Sequence, residues 1–417
     1  MKALTKISTG FLALAAAALW FTSCSSEDVA QNGGSQSDKE SLLTLTINTG
    51  KIMGSRTTDW ATDPAGADAS QNESKITDIT IGIFDGTTKN VKAIIEPAKG
   101  TDNATPGNNE FTYSTTDKKI TAKVIAKALS ANDDVLVAVN HAGKFGSVSD
   151  EKSFNAVTES LGEALGTGAS QDNTNIPMYG TGNLVSSGAN SFTAGDIPVK
   201  RLLAKITLNK LSVDFKKIYA SAEFKPTCCF LINVPENLKF ADGKDSWDTS
   251  AALNSGWASY DSGSFTYTAG NSGIVGTFKE FLTTKDLPGA ALKGAENSGT
   301  EVYGGNVYFY TMPNGYDKTS TKNTKLVIAG KFKANSTAPE QMVYYPVPLN
   351  VNIAAGGTET PGLDDKYKVY PNKNYVCDVT IKTIGVANPN LNLDPQDATI
   401  TIKVENWTSV SQSTIFD

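Results

Sequence analysis

The sequence predicts an all-β protein of antiparallel sandwiches, and three observations predict it. Short β-branched or aromatic runs bounded by Gly, Asn, Asp or Pro recur at 76–84, 135–140, 204–215, 307–312, 326–332 and 375–384. Runs of this kind between turn residues read as strands. Apolar residues make up 39% of the chain and charged residues 19%, with Thr, Ser, Asn and Gly filling the difference, a mixture that suits strands and turns better than helices. Helical spacing occurs once, at 151–165, where Phe154, Val157, Leu161 and Leu165 predict a single helix packed on a sheet.

The 417 residues correspond to two or three domains at roughly 150 residues each. The stretch 179–195 is dominated by Gly, Ser, Thr and Asn, and a fresh strand signal begins at Ile197. The expected division is therefore an N-terminal sandwich at 57–196 and a C-terminal one at 197–417.

With 37 Lys+Arg against 43 Asp+Glu the net charge is −6, which offers no basic surface to a phosphate backbone and excludes nucleic acid as a partner. His141 is the one histidine, so a multi-His metal site is ruled out. It follows a strand, lacks a Gly-x-Ser-x-Gly companion, and reads as a strand-end residue. Cys24, Cys228, Cys229 and Cys377 are too sparse for a disulfide scaffold and contain no CxxC spacing. Adjacent Cys228 and Cys229 point to opposite faces of a strand and read as buried thiols. Asp133-Asp134 and Asp364-Asp365 lack the register of a calcium loop and read as solvated turns. Tyr308-Phe309-Tyr310 and Tyr344-Tyr345 read as packing, with a glycan-lining surface as the other option. No catalytic residue, metal or cofactor is expected.

Lys2 and Lys6 precede a mainly apolar run at 7–21, too short for a spanning helix and flanked as a signal peptide is. It ends in Phe21-Thr22-Ser23-Cys24, the small-small-Cys pattern read by lipoprotein signal peptidase. Residues 1–24 are thus a signal ending at a lipidated Cys24, the alternative being an ordinary secretory signal cut near Ser23. Acyl chains on Cys24 would tether the protein, each buried CH₂ contributing about 0.8 kcal/mol. Residues 25–28 are Ser, Ser, Glu and Asp, and 29–40 carry no apolar period, which marks a tether.

Leu43, Leu45 and Ile47 then alternate with Thr44, Thr46 and Asn48, placing three apolar side chains on one strand face. Gly50, Gly54 and Ser55 make a loop that ends at Arg56, before Thr57. Arg56 and Arg201 are the two arginines of the chain. Arg201 lies where a strand starts, in backbone expected to be paired and closed to protease, with a structural role beside a carboxylate at the junction. Arg56 lies in a cleavable loop.

In order along the chain these segments resemble the fimbrillin family, the FimA-like subunits of type V pili in Bacteroidetes. The carriers are Cys24 with its signal, the strand 42–48 followed by Arg56, Ile79-Thr-Ile-Gly-Ile-Phe84-Asp85 and the strand 135–141. Further carriers are Ile176-Pro-Met-Tyr-Gly180, Val199-Lys-Arg201-Leu-Leu-Ala-Lys205-Ile206, Asn372-Lys-Asn-Tyr375 and Ile400-Thr-Ile-Lys-Val-Glu-Asn-Trp407. The resemblance implies two transthyretin-like sandwich domains and polymerisation by strand exchange. It implies a precursor lipidated at the outer membrane and an arginine-specific or trypsin-like protease that cuts between Arg56 and Thr57. The strand in 25–56 is lost, and other copies or related fimbrial subunits are the partners in an extracellular fimbrium. The alternative is a non-polymerising surface lipoprotein adhesin that keeps its anchor and binds host glycan or protein.

Losing Leu43, Leu45 and Ile47 from a core would remove roughly 5–9 kcal/mol of burial, at 1.5–3 kcal/mol each, and leave strand edges unpaired. A substitute of the same alternation lies at the C-terminus: Ile400, Ile402 and Val404 share one face, followed by Trp407. Either 398–405 is the exchanged strand, or it is the last strand of its own domain with Trp407 on the sandwich edge and 408–417 as the exchanged part. Deleting 398–417 is expected to leave a folded subunit that cannot polymerise.

Overall fold

Alternating apolar positions close the N-terminal half into a ring. This computed structural model describes residues 39–48, 73, 77–97, 109–114, 119–126, 129–141, 145–257, 259–261, 264–266, 277–287, 289–294, 300–354, 357–363, 365–392, 394 and 398–407. Cys24, Arg56, Thr57, Asp364, the tail 408–417 and the side chain of Ile47 lie outside these. Strands β1 (Lys39–Asn48), β2 (Ile79–Phe84), β3 (Val91–Pro97), β4 (Glu110–Ser114), β5 (Lys119–Ala126), β6 (Asp134–Val139), β7 (Met178–Asn183), β8 (Val185–Gly188) and β9 (Ser191–Arg201) form one sheet. Its order is β1-β5-β4-β3-β2-β6-β7-β9-β8, and β1 also pairs with β9, which joins the two ends.

Inside the ring, Leu43, Leu45, Ile79, Ile81, Ile83, Val135, Val137, Val139, Ile197 and Val199 meet in one core. They recur at every second residue, as the pleat requires. The opposite faces of β2 and β6 present Phe84, Leu136 and Ala138 to a second, larger core that continues into the C-terminal half.

There, β10 (Ala204–Val213), β11 (Glu223–Ile232), β12 (Thr300–Thr311), β13 (Lys325–Lys333), β14 (Gln341–Pro348), β15 (Val351–Ile353), β16 (Glu359–Pro361), β17 (Lys373–Ile381) and β18 (Ala398–Asn406) build a sandwich. One sheet runs β12-β10-β17-β18-β15-β16, and the other places β13 between β11 and β14. Ile206, Leu208, Tyr375, Cys377, Val379, Ile400 and Ile402 of the first pack in one core with Phe224, Cys229, Leu231, Leu326, Ile328 and Tyr345 of the second.

The all-β class read from the sequence is the class observed. Most pairs are antiparallel, but β1–β9, β3–β4 and β10–β17 are parallel. Residues 196 and 197 fall within β9, and the chain passes to the second sheet between Arg201 and Ala204. The single helix expected at 151–165 is two short ones, α1 (Glu151–Asn155) and α2 (Leu161–Leu165). Asp150 caps α1 through Ser153, and Ser160 with Glu163 caps α2. Between them Thr158–Ser160 is a strand that pairs with Asn237–Lys239, a pairing that a continuous helix would forfeit.

Lys325 at the start of β13 is buried, its Nζ donating to Asn392 Oδ1 at 2.7 Å. Burial pushes its amine from 10.5 down to about 8. Below about 8 both folded and unfolded chains hold the proton and the burial cost is complete; it is relieved as pH rises from there towards 10.5. Lys325→Met is therefore expected to stabilise the protein at pH 7 by on the order of 1–3 kcal/mol. In urea titrations across pH, that advantage should vanish above about pH 10.5.

Candidate assembly interface

The strand expected to be removable occupies an interior place. β1 runs antiparallel to β5, Leu43 opposite Ala122 and Leu45 opposite Ile120. On its other edge it runs parallel to β9, Leu43 opposite Phe192 and Ile47 opposite Ile197. Leu43 is 0% and Leu45 1% exposed, whereas Leu42 on the other face is 48% exposed. β1 is thus the ring's closing strand, with both edges bonded and its apolar face in the core.

Ile400, Ile402 and Val404 lie on β18, which is bonded along its length to β17, from Ile381 opposite Ala398 to Lys373 opposite Asn406. Its other edge meets β15 at Ile353, opposite Ile400. Ile400 and Ile402 are buried and Val404 half-buried. Among the two C-terminal options, 398–405 stands as an interior strand of its own sheet.

Trp407 ends the described chain in a buried ionic cluster. Its indole Nε1 donates to Glu73 Oε2 at 2.8 Å, and its ring stacks on Tyr310 with centroids 5.3 Å apart and planes 11° from parallel. Tyr310 OH and Lys205 Nζ donate to the other carboxylate oxygen, Lys205 at 3.1 Å. Arg201 donates through Nε to the Glu73 carbonyl and through Nη1 to the Trp407 carbonyl, both at 2.9 Å, and its guanidinium lies 4.8 Å from the Trp407 ring centre. Burial pushes the Arg201 guanidinium down from its ordinary value while the Glu73 charge pulls it back up. Burial, reinforced by Glu73, pushes the Tyr310 hydroxyl upward.

The cluster joins three parts of the chain. Glu73 stands seventeen residues beyond Arg56, Arg201, Lys205 and Tyr310 lie where the two halves meet, and Trp407 is the root of the tail. Arg201 is buried at the junction, bonded to the main-chain carbonyl of Glu73 and close enough for the Glu73 charge to act on it. Glu73 had not been singled out, since a lone Glu in the polar stretch 69–75 has no periodic signature; the one available signal was the partner that Arg201 required.

Other singled-out residues are held by packing. His141 Nε2 lies 2.7 Å from Thr80 Oγ1 and 3.1 Å from Asp78 Oδ1, with its ring edge-on to Phe145. Cys229 and Cys377 share the large core while Cys228 faces the smaller one with Phe230 and Trp257, and all three are buried thiols. Asp133 corrects an expectation: it is buried, not solvated, because Lys92 Nζ reaches both its oxygens at 2.8 and 2.9 Å and Ser130 N donates to it at 2.7 Å. Asp365 is held by Lys244 and the Tyr370 hydroxyl, each at 2.7 Å, and these hold its carboxyl down to about 2.

A closed β ring joined to a β-sandwich through a shared core defines the class of fold. No protein-family model matches the chain, and no curated protein matches it in sequence. Solved structures do. A Bacteroides eggerthii protein provisionally classed as a cell adhesion protein matches with a TM-score of 0.57 at 17% identity, over 91% of this chain and 100% of that one. A Parabacteroides distasonis protein of the same provisional class gives 0.55 at 15%, over 89% and 100%. A fimbrilin (FimA) from Porphyromonas gingivalis gives 0.52 at 17%, over 89% and 98%. At these identities the likeness establishes a shared fold, the one the sequence resemblance implied.

Proposed function

We propose that this chain is a structural subunit of a cell-surface fimbria. It is exported as a lipoprotein on Cys24, held at the outer membrane, trimmed between Arg56 and Thr57 by an arginine-specific or trypsin-like protease, and polymerised with other copies or related subunits by strand exchange. The observation that carries this reading is the place of β1 as closing strand of the ring. Burying Leu43 and Leu45 contributes roughly 3–6 kcal/mol, and taking β1 away bares the edges of β5 and β9 together. Two unpaired edges flanking an apolar slot recruit another strand.

β1 connects to the rest through 49–72, which contains Arg56, so one cut releases it covalently. The segment that refills the slot is 408–417, with β18 and Trp407 as its fixed root. In an extended chain Val410, Gln412, Thr414 and Phe416 fall on one face. The fold shared with a fimbrilin supports the same role.

Filaments sheared from cells test this by N-terminal sequencing and mass analysis. Subunits are expected to begin at Thr57 without lipid, and Arg56→Ala is expected to give lipid-bearing monomers in the membrane fraction. Filament subunits that begin at Cys24, or normal filaments from Arg56→Ala, contradict the reading.

A further inference from the structure

β12 carries a cleft that strand exchange does not use. It has a volume of about 660 Å³ and lies between β12, the loop 169–173 and Phe281. β12 is the outermost strand of its sheet, paired with β10, and such an edge ordinarily invites a further strand. This one is obstructed at two points. Gln171 covers the backbone at Tyr310, its Nε2 donating to Tyr310 O at 2.7 Å and its Oε1 accepting from Tyr310 N at 2.8 Å.

Nearer the start of β12, Val302 pairs with Lys210 and Val307 with Leu208, so Tyr303, Gly304, Gly305 and Asn306 stand opposite Asn209 alone. Gly304 and Gly305 take φ of 57° and 85°, a left-handed backbone that other residues adopt only with strain. A bulge of this kind ends regular pairing and re-aims side chains. Between bulge and cap too little regular edge remains for a peptide strand.

The wall chemistry is neutral and hydrogen-bonding. Gln171, Tyr303 and Asn306 line the cleft beside Tyr308 and Phe309, and Glu301 is its one charged residue. With no Lys or Arg in the wall an anionic ligand lacks a counter-charge, and a single carboxylate does not make a metal site. Tyr308, read from the sequence as packing, is half-buried, in contrast with Phe309 and Tyr310. Amides and hydroxyls beside aromatic faces suit a ring that carries hydroxyls on its rim and C–H groups on its faces.

We propose that this cleft binds a neutral saccharide of one or two rings, with the Asn306 amide bonded to sugar hydroxyls and Tyr308 packed on a ring face. The site stands independently of the assembly reading. Saturation-transfer NMR and titration calorimetry on the full-length chain, with galactose, mannose, fucose, N-acetylglucosamine and lactose as probes, test it. At least one probe is expected to bind saturably, with Kd of about millimolar order. Asn306→Ala and Tyr308→Ala are expected to weaken that binding about three- to tenfold. Asn306 is exposed, so its variant should unfold at the wild-type temperature. No saturable binding by any of the five sugars overturns the proposal, as does undiminished binding by both variants. A synthetic 408–417 peptide that binds at Tyr308 where no sugar does would assign the cleft to a chain segment and also overturn it.

Discussion

A chain lacking 408–417 is expected to fold, to be exported and trimmed, and to remain monomeric, whereas a chain lacking 398–417 is expected not to fold. The shorter deletion stops after Trp407 and leaves the Glu73 cluster and every described strand in place. The longer one removes β18 from between β17 and β15. Ile400 and Ile402 are 1% and 3% exposed, so their loss costs roughly 3–6 kcal/mol. To this is added the carbonyl and amide row of β17 left without partners, and the loss of Trp407 from the carboxylate of Glu73. Against a net stability of about 5–15 kcal/mol, the sum removes most or all of the fold. This replaces the expectation, drawn from alternation alone, that the 398–417 deletion would fold. Circular-dichroism melts of both chains, with electron microscopy of cells expressing them, separate the outcomes. Long filaments from the 408–417 deletion would remove the tail as donor, and a cooperative melt from the longer deletion would show that β18 is dispensable.

What the sequence made legible were features with a period. The run at 135–139 is apolar throughout because both its faces are buried, one in the ring and one in the large core, whereas Leu43 and Leu45 alternate with polar residues because one face of β1 fills the ring. Pairing partners were not legible: Leu43 sits opposite Phe192 in β9, and no local pattern encodes a contact across that separation. Spacing also misled at 151–165. Phe154, Leu161 and Leu165 all reach the large core, but two capped turns on either side of a strand deliver them as well as one helix would. The donor question stayed open for a related reason. An interior strand of its own sheet and a strand lent to a neighbour need the same alternation, so Ile400, Ile402 and Val404 do not distinguish them by pattern; in this structure β18 is bonded on both edges within its own chain.

Glu73→Ala is expected to be among the most damaging single changes in the described body, at about 3–5 kcal/mol, the range for stripping a buried ion pair of one partner. Glu73 is 3% exposed, and Arg201 and Lys205 are 4% and 7% exposed. Without the carboxylate both cations keep their burial cost. Lys205 then retains only the faces of Tyr308 and Tyr310, at 4.3 and 5.8 Å from the ring centres. The indole N–H of Trp407 loses its 2.8 Å acceptor, and the Tyr310 hydroxyl loses its own. Glu73→Gln should fall between, since one amide oxygen can still accept while the NH₂ group meets a donor. Tyr310→Phe, which removes one donor and leaves the carboxylate bonded to Lys205 and Trp407, should cost only about 1 kcal/mol. Urea titration of the three variants tests this order. A Glu73→Ala loss below that of Tyr310→Phe would mean that the three chain parts are joined by apolar packing, with the ionic cluster contributing nothing net. In the expected case the carboxylate also fixes Trp407, the root of the tail proposed as donor. Glu73→Ala should then expose Trp407 to water, red-shifting tryptophan emission before the main unfolding transition.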